Sequence, residues 1–286
     1  MFLILGLVGV TFSIFYGYTM EGGALVLLWQ PAEVIVIGGA AFFSMVAANP
    51  PSINKGLVPG VIATIKGSGV NKSTYRDLLG LMASTFDTMR REGVLGIEGD
   101  ITAPHESARF KKYPKALSNH HLMETFTGAL RLFVDGVVNA FDLERLLDSE
   151  IETHHEEALH VPAAVRMLAD GLPAFGIVAA VLGIIITMQF LDQPPAVIGG
   201  KVAAALTGTM MGILLSYGFA SPIAASMEHV AREQTTILKT VQAGLVSFAG
   251  GSPPQVALEF ARKTIPGHMR PTAEELEEII KEAKKS

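Results

Sequence analysis

Of the 286 residues, 49% are hydrophobic and 17% are charged, with a formal net charge of -5. Together with a mean hydropathy of +0.40, this is too apolar for a typical soluble domain but leaves a charged fraction that needs water, so the chain is expected to be part membrane and part cytoplasm. The basic residues are scattered instead of forming a dense stripe, which excludes a nucleic-acid interface, and the lack of any cysteine excludes disulfides, thiolate metal sites and a cysteine nucleophile.

The first uncharged run long enough to cross a bilayer extends from Phe2 to about Met20. It has no basic leader and no small-residue cleavage site, and a second apolar run follows at once, so it is read as a retained span, not a signal peptide. Gly22 to Pro31, with Leu25, Leu27, Leu28 and Trp29, is apolar enough to lie at the outer interface, where an indole ring is at home. The second span is expected from about Ala32 to Ala48, with Glu33 near its start.

From about Pro50 to Asp170 the pattern is helical, with turn signals at Gly67-Ser68-Gly69 and Ala103-Pro104. Leu78, Leu79, Met82 and Phe86, and then Leu122, Phe126, Leu130 and Phe133, recur at helical spacing and are assigned to buried faces. Gly67, Gly69 and Lys72-Ser73-Thr74 invite comparison with a phosphate loop. Asn71 stands where that loop needs glycine, and no strand precedes it. Glu150, Glu152, His154, His155, Glu156, Glu157 and His160 look metal-binding, but His155 and His160 are five apart, about 140° around a helix. That run is assigned to a solvated charged helix, and no metal or other cofactor is expected.

The third span is expected from about Leu172 to Leu191 and the fourth from about Val202 to Ile223, forming a hairpin through Asp192, Gln193, Pro194, Pro195 and Lys201. Neither has an ionisable group at its middle. Asp170 lies at one entrance and Asp192 at the other, with Gly176, Ala179, Ala180, Gly183, Thr187, Thr207, Gly208, Thr209, Gly212 and Ser216 between. Gly176 with Ala180, and Gly208 with Gly212, have the four-residue spacing that lets helix backbones approach, within one chain or between chains. Thr209 offers a hydroxyl either to an ion or to its own backbone. An ion crossing here requires a carboxylate brought by a partner chain. Pro173 and Pro222 lie near the span ends, where each frees a carbonyl and can hold a kink. At the C-terminus Thr272-Ala273-Glu274-Glu275 forms a capping-box pattern, with Lys281, Lys284 and Lys285 late in the helix. Apart from Lys201, every Lys and Arg lies between the second and third spans or after the fourth, so both termini and the long segment are expected in the cytoplasm.

Asp170-Gly171-Leu172-Pro173-Ala174-Phe175-Gly176-Ile177-Val178-Ala179-Ala180 resembles the third-span signature of the MotA/PomA stator family. Gly208 to Phe219, followed by Ser221-Pro222, is similar to its fourth-span signature. Gln30-Pro31-Ala32-Glu33, Glu150-Ile151-Glu152-Thr153-His154 and Glu259-Phe260-Ala261-Arg262-Lys263 extend the likeness over the whole chain. The resemblance implies the ion-channel and torque-generating subunit of a flagellar motor stator in the inner membrane. It implies a homopentamer around two copies of a MotB-type single-span partner that supplies the ion-carrying aspartate. It assigns Thr209 to the ion path and Pro173 and Pro222 to coupling, with Asp170 at the cytoplasmic entrance. Arg90, Glu98 and Glu150 are assigned to contact with the rotor protein FliG, with Arg91 an alternative to Arg90. Sodium-driven relatives carry hydroxyl residues where this chain has Ala180 and Gly208, so the resemblance implies proton drive.

The expected fold is an all-α membrane protein of four transmembrane helices with a large helical cytoplasmic region. Its expected divisions are residues 1–49 and 170–225 for the span pairs, 50–169 for the rotor-facing loop and 226–286 for the C-terminal region. An ExbB/TolQ-type energy transducer would usually have three spans. A solute transporter would need more spans and a midplane site, and nothing supports an enzyme.

Overall fold

The computed structural model describes residues 2–284, and among them every regular element is helical. Helix α1 (Phe2–Met20) is apolar on all sides and buries none of its residues, as suits a helix surrounded by hydrocarbon. A turn at Gly22, whose φ of 80° favours glycine, leads into a 3₁₀ turn at Leu25–Leu28, after which Trp29 is 73% exposed. Helix α2 (Pro31–Val34) opens with proline at its first position, where no amide is needed, and passes through a π turn, Ile35–Gly39, into α3 (Ala40–Ala48). Asn54 closes that end, its amide donating to the carbonyls of Val46 at 3.1 Å and Asn49 at 3.0 Å.

Helix α4 (Pro51–Lys66) ends at Gly67, and α5 (Lys72–Glu92) starts from a capping box on Asn71. The Asn71 side chain accepts from the amides of Ser73 and Thr74, and the Thr74 hydroxyl accepts from the Asn71 amide. The residue that spoils the phosphate-loop pattern is therefore a helix cap. A 3₁₀ turn (Val94–Ile97), α6 (Glu98–Thr102), a second 3₁₀ turn (Phe110–Lys112), α7 (Pro114–Leu117) and α8 (His120–Val134) follow.

Helix α9 (Ala140–Thr187) has no break at Leu172, where the apolar run begins; it continues through Pro162 and Pro173. Beyond Pro194, α10 (Pro195–Ile213) enters a π turn, Leu214–Ala220, and continues as α11 (Ser221–Ala249). Pro222 has no amide for the carbonyl of Gly218, and the π turn covers that carbonyl, so the ladder widens where the ring would collide with it. Helices α12 (Pro254–Thr264) and α13 (Ala273–Lys284) complete the order. The capping box on α13 is present, with reciprocal bonds between Thr272 and Glu275 of 2.8 and 3.1 Å. Lys285 lies outside the described residues.

Four helical stretches are long and apolar enough to cross a membrane: Phe2–Met20, Leu25–Ala48, and parts of Ala140–Phe190 and Pro195–Ala249. The chain divides into two compact units, residues 1–67 with 158–230, and residues 68–157 with 231–286, so α9 and α11 each contribute to both. In the first unit many large side chains point outward, and Phe2, Phe12 and Ile185 are all more than half exposed, whereas Ile37, Met45 and Leu172 are buried. The second unit has an ordinary core. Leu78, Leu79, Met82 and Phe86 of α5 are fully buried, as are Leu122 and Phe126 of α8, and Phe133 packs at the edge. Phe86 stacks on Phe248 of α11 with ring centroids 4.3 Å apart.

Small residues set the distance between α9 and α10. A methyl group built on Gly212 would stand 2.6 Å from the Leu172 carbonyl and 2.9 Å from Gly176 Cα, and one on Gly183 would meet Ala205 Cβ at 2.7 Å. The glycine stripe is thus used for backbone contact within the chain. In the second unit, Arg262, with a side chain only 9% exposed, donates to both Glu259 oxygens at 2.7 and 2.6 Å and to the Pro271 carbonyl at 2.9 Å. This fork ties α12 to the segment that enters α13.

Gly212→Ala is expected to cost about 1–3 kcal/mol by overpacking and to lower the thermal midpoint of the detergent-solubilised chain. Gly6→Ala, where a methyl group meets nothing within 4 Å, is expected to leave that midpoint unchanged. The Arg262 hydrogen bonds hold the Glu259 carboxyl below the usual carboxylate range, against the opposing effect of its burial. Its stabilising contribution is therefore present above the unfolded pKa, about 4.3, and lost as pH falls through the lower folded value. Hydrogen-exchange protection of residues 254–284 should fall in that acidic window, and Glu259→Gln should remove this part of the pH dependence.

Candidate functional site

The candidate site is the α9–α10 hairpin, and its backbone contacts decide which groups face the helix interface. At the Gly176 position an added methyl group would lie 3.2 Å from Gly212 Cα and 3.3 Å from the Gly208 carbonyl. Thr209, which follows on the same helix, is half-buried. The hydroxyls of Thr187 and Thr207 are bonded to their own helix, to the carbonyls of Gly183 at 2.7 Å and Ala203 at 2.9 Å. Among the described residues nothing hydrogen-bonds to the hydroxyl of Thr209, which leaves it open to another ligand. Ala180 is half-buried and offers only a methyl group, and Asp170 is exposed at the start of the apolar run.

Sequence reasoning found no carboxylate in the middle of the third and fourth spans, but the fold brings one from the second. Glu33 sits in the first turn of α2, and its Oε2 is enclosed without a hydrogen-bond partner. An added methyl group at Gly208 would stand 2.6 Å from that oxygen and 3.4 Å from Ala179 Cβ. Glu33 is visible in the sequence as a charge near a span end, but its juxtaposition with Gly208 depends on tertiary packing that periodicity does not encode. Pro173 and Pro222 are both half-buried, the first inside unbroken α9 and the second just after the π turn.

The second unit holds the charged candidates. Arg90 and Arg91 form the last turn of α5, and both are exposed. Arg91 is paired with Asp87 one turn back, whereas among the described residues no carboxylate pairs with Arg90. Glu98 is exposed at the first position of α6, beyond the Val94–Ile97 turn. Glu150 lies on α9, where its Oε1 accepts from the Thr125 hydroxyl of α8 at 2.5 Å. Arg90 and Glu98 thus flank one turn, and Glu150 belongs to the α8–α9 contact.

Residues 4–93 match the family model described as "Motility protein A N-terminal", and residues 117–240 match the "MotA/TolQ/ExbB proton channel family". Motility protein A of Salmonella typhimurium is 40% identical over 98% of this chain and 95% of its own length. Motility protein A of Escherichia coli is 39% identical over 99% and 96%, and chemotaxis protein LafT of Vibrio parahaemolyticus is 37% identical over 97% and 98%. The fold is similar to that in a structure of C. jejuni MotAB (TM-score 0.79, 20% identity, 93% of this chain and 95% of that one). It is also similar to that in the flagellar MotAB stator complex from Bacillus subtilis (TM-score 0.74, 21% identity, 90% and 92%). The four apolar helices, the glycine-packed hairpin and these full-length matches lead to one conclusion: the chain belongs to the motility protein A family.

Proposed function

We propose that the chain is the ion-channel and torque-generating subunit of a bacterial flagellar stator, a multi-pass inner-membrane protein that couples proton flow to rotation. The observation that carries this is the α9–α10 hairpin. Its backbones are in contact through Gly176 and Gly212, the Thr209 hydroxyl has no hydrogen-bond partner among the described residues, and the middle of neither span contains a carboxylate. The carboxylate that the fold brings to the hairpin, Glu33, is packed against Gly208 from the end of the second span, so in this reading a MotB-type single-span partner brings the titrating carboxylate. The full assembly would be five of these chains around two partner chains, with both termini in the cytoplasm and FliG as the rotor contact.

In this reading Thr209 contributes an oxygen to the path and Asp170 marks its cytoplasmic entrance. Beside the hairpin, Pro173 and Pro222 each leave a helix carbonyl without its amide, at Pro222 with a π turn before it, and so mark points where bending costs little. One charge moving through about 100 mV releases roughly 2.3 kcal/mol, enough to bias a rearrangement at such points but not to break a packed core. Proton drive is favoured by the oxygen count. A dehydrated sodium ion needs several oxygen ligands, whereas Ala180 has none and Gly208 is too close to Glu33 Oε2 to accept a serine without displacing it.

The test is complementation of a strain lacking its own copy with this gene and its cognate partner, with sodium and the proton gradient varied independently. Rotation that collapses with a protonophore at every sodium concentration is expected; speed that follows sodium would overturn the ion assignment. For the rotor contact, the Asp87 pair leaves Arg90 as the available arginine. Arg90→Ala should reduce swimming more than Arg91→Ala at equal membrane expression, and the reverse order would assign the contact to Arg91.

A further inference from the structure

We propose that the first turn of α8 and His154 of α9 together bind a divalent transition-metal ion of the zinc class. His120 and Glu124 are four residues apart and His121 and Glu124 three apart, so both histidines share a helix face with the same carboxylate. Their donor atoms all lie within 4.8 Å of one another, and His120 Nδ1 is 3.5 Å from Glu124 Oε2. Tetrahedral zinc, with bonds of about 2.0–2.1 Å, needs its donors roughly 3.4 Å apart. All three side chains are exposed, so rotamer adjustment closes the difference without moving a core.

A second observation joins α9 to this group. The ring of His154 lies edge-on to His121 with centroids 4.7 Å apart, and its Nδ1 is enclosed with no hydrogen-bond partner. Both rings line a cleft of about 680 Å³ that also contains Glu124, Glu150 and Glu157. The imidazoles of His120, His121 and His154 with the Glu124 carboxylate form a borderline donor set that suits zinc, nickel or copper more than calcium or magnesium. The surrounding carboxylates supply the negative charge that a dication requires. The spacing along α9 alone does not reveal this, because the other ligands come from α8. The cleft lies next to the Thr125–Glu150 bond, so an occupied site would pin α8 to α9 beside Glu150.

The inference is independent of which ion the membrane hairpin conducts, and its test uses binding, not rotation. The full chain, purified with its partner on an affinity tag free of histidine, is titrated with Zn2+ against a competing chelator, and Co2+ is added separately to read its visible absorption. One Zn2+ per chain is expected, with affinity reduced at least tenfold in the triple variant His120→Ala, His121→Ala, Glu124→Ala and about tenfold in His154→Ala. Co2+ should give the absorption of a histidine-bound, low-coordinate ion only in the parent. The helical circular dichroism of each variant shows whether the fold is intact, and Glu124→Gln, which keeps size and shape, should still lower affinity. Zn2+ bound equally by the parent and the triple variant would overturn the site. An unchanged affinity in His154→Ala would overturn the link to α9.

Discussion

The closeness of two helix backbones is the constraint on which the membrane unit depends. Leu172, Gly176, Gly208 and Gly212 bring α9 and α10 within a distance that no side chain can share. Lipid tails are as apolar as leucine, so burying large side chains gains little between helices in a bilayer. Close van der Waals contact across small residues is what holds them together. This explains why the first unit leaves so many phenylalanines and isoleucines exposed, with only a few large side chains such as Ile37 and Met45 buried, while the α9–α10 contact itself is made by glycine and alanine. It also explains why Glu33 presses on the hairpin at Gly208: only a residue without a side chain leaves room for a carboxylate.

The second unit obeys the opposite rule. Its core is built from leucine, methionine and phenylalanine, with buried Phe86 stacked on the partly buried Phe248, and water drives that burial. A single chain thus uses two solvents, and its hydrophobic pattern has two meanings. Uniform apolarity marks a lipid-facing helix such as α1, and three-to-four periodicity marks an aqueous core such as that around α5.

That distinction explains what was legible in the sequence. The four spans, the α5 and α8 core faces and the α13 capping box are encoded locally, by run length, period and spacing, and each is present. The helix ends were less legible, because apolarity locates the hydrocarbon and not the helix: α9 begins 32 residues before the apolar run at Leu172 and passes two prolines. Juxtapositions were not legible at all. Glu33 against Gly208 and His121 against His154 join distant parts of the chain through packing, and Asp87 pairs with Arg91 through a contact that spacing permits but does not require. The resemblance supplied roles for individual residues, including Thr209, that composition and periodicity could not.

Arg91 pairs with Asp87, whereas among the described residues no carboxylate pairs with the exposed Arg90, and this affects the lifetime of any contact it makes. An exposed charge is felt only within about 8 Å at physiological salt. It speeds encounter more than it strengthens the encounter complex, and a partner held this way leaves quickly. A buried, hydrogen-bonded pair would hold longer but would have to be desolvated and resolvated each time it formed and broke. If the proposed rotor contact is made through Arg90, a surface that engages and releases the same partner repeatedly is better served by brief attraction than by grip.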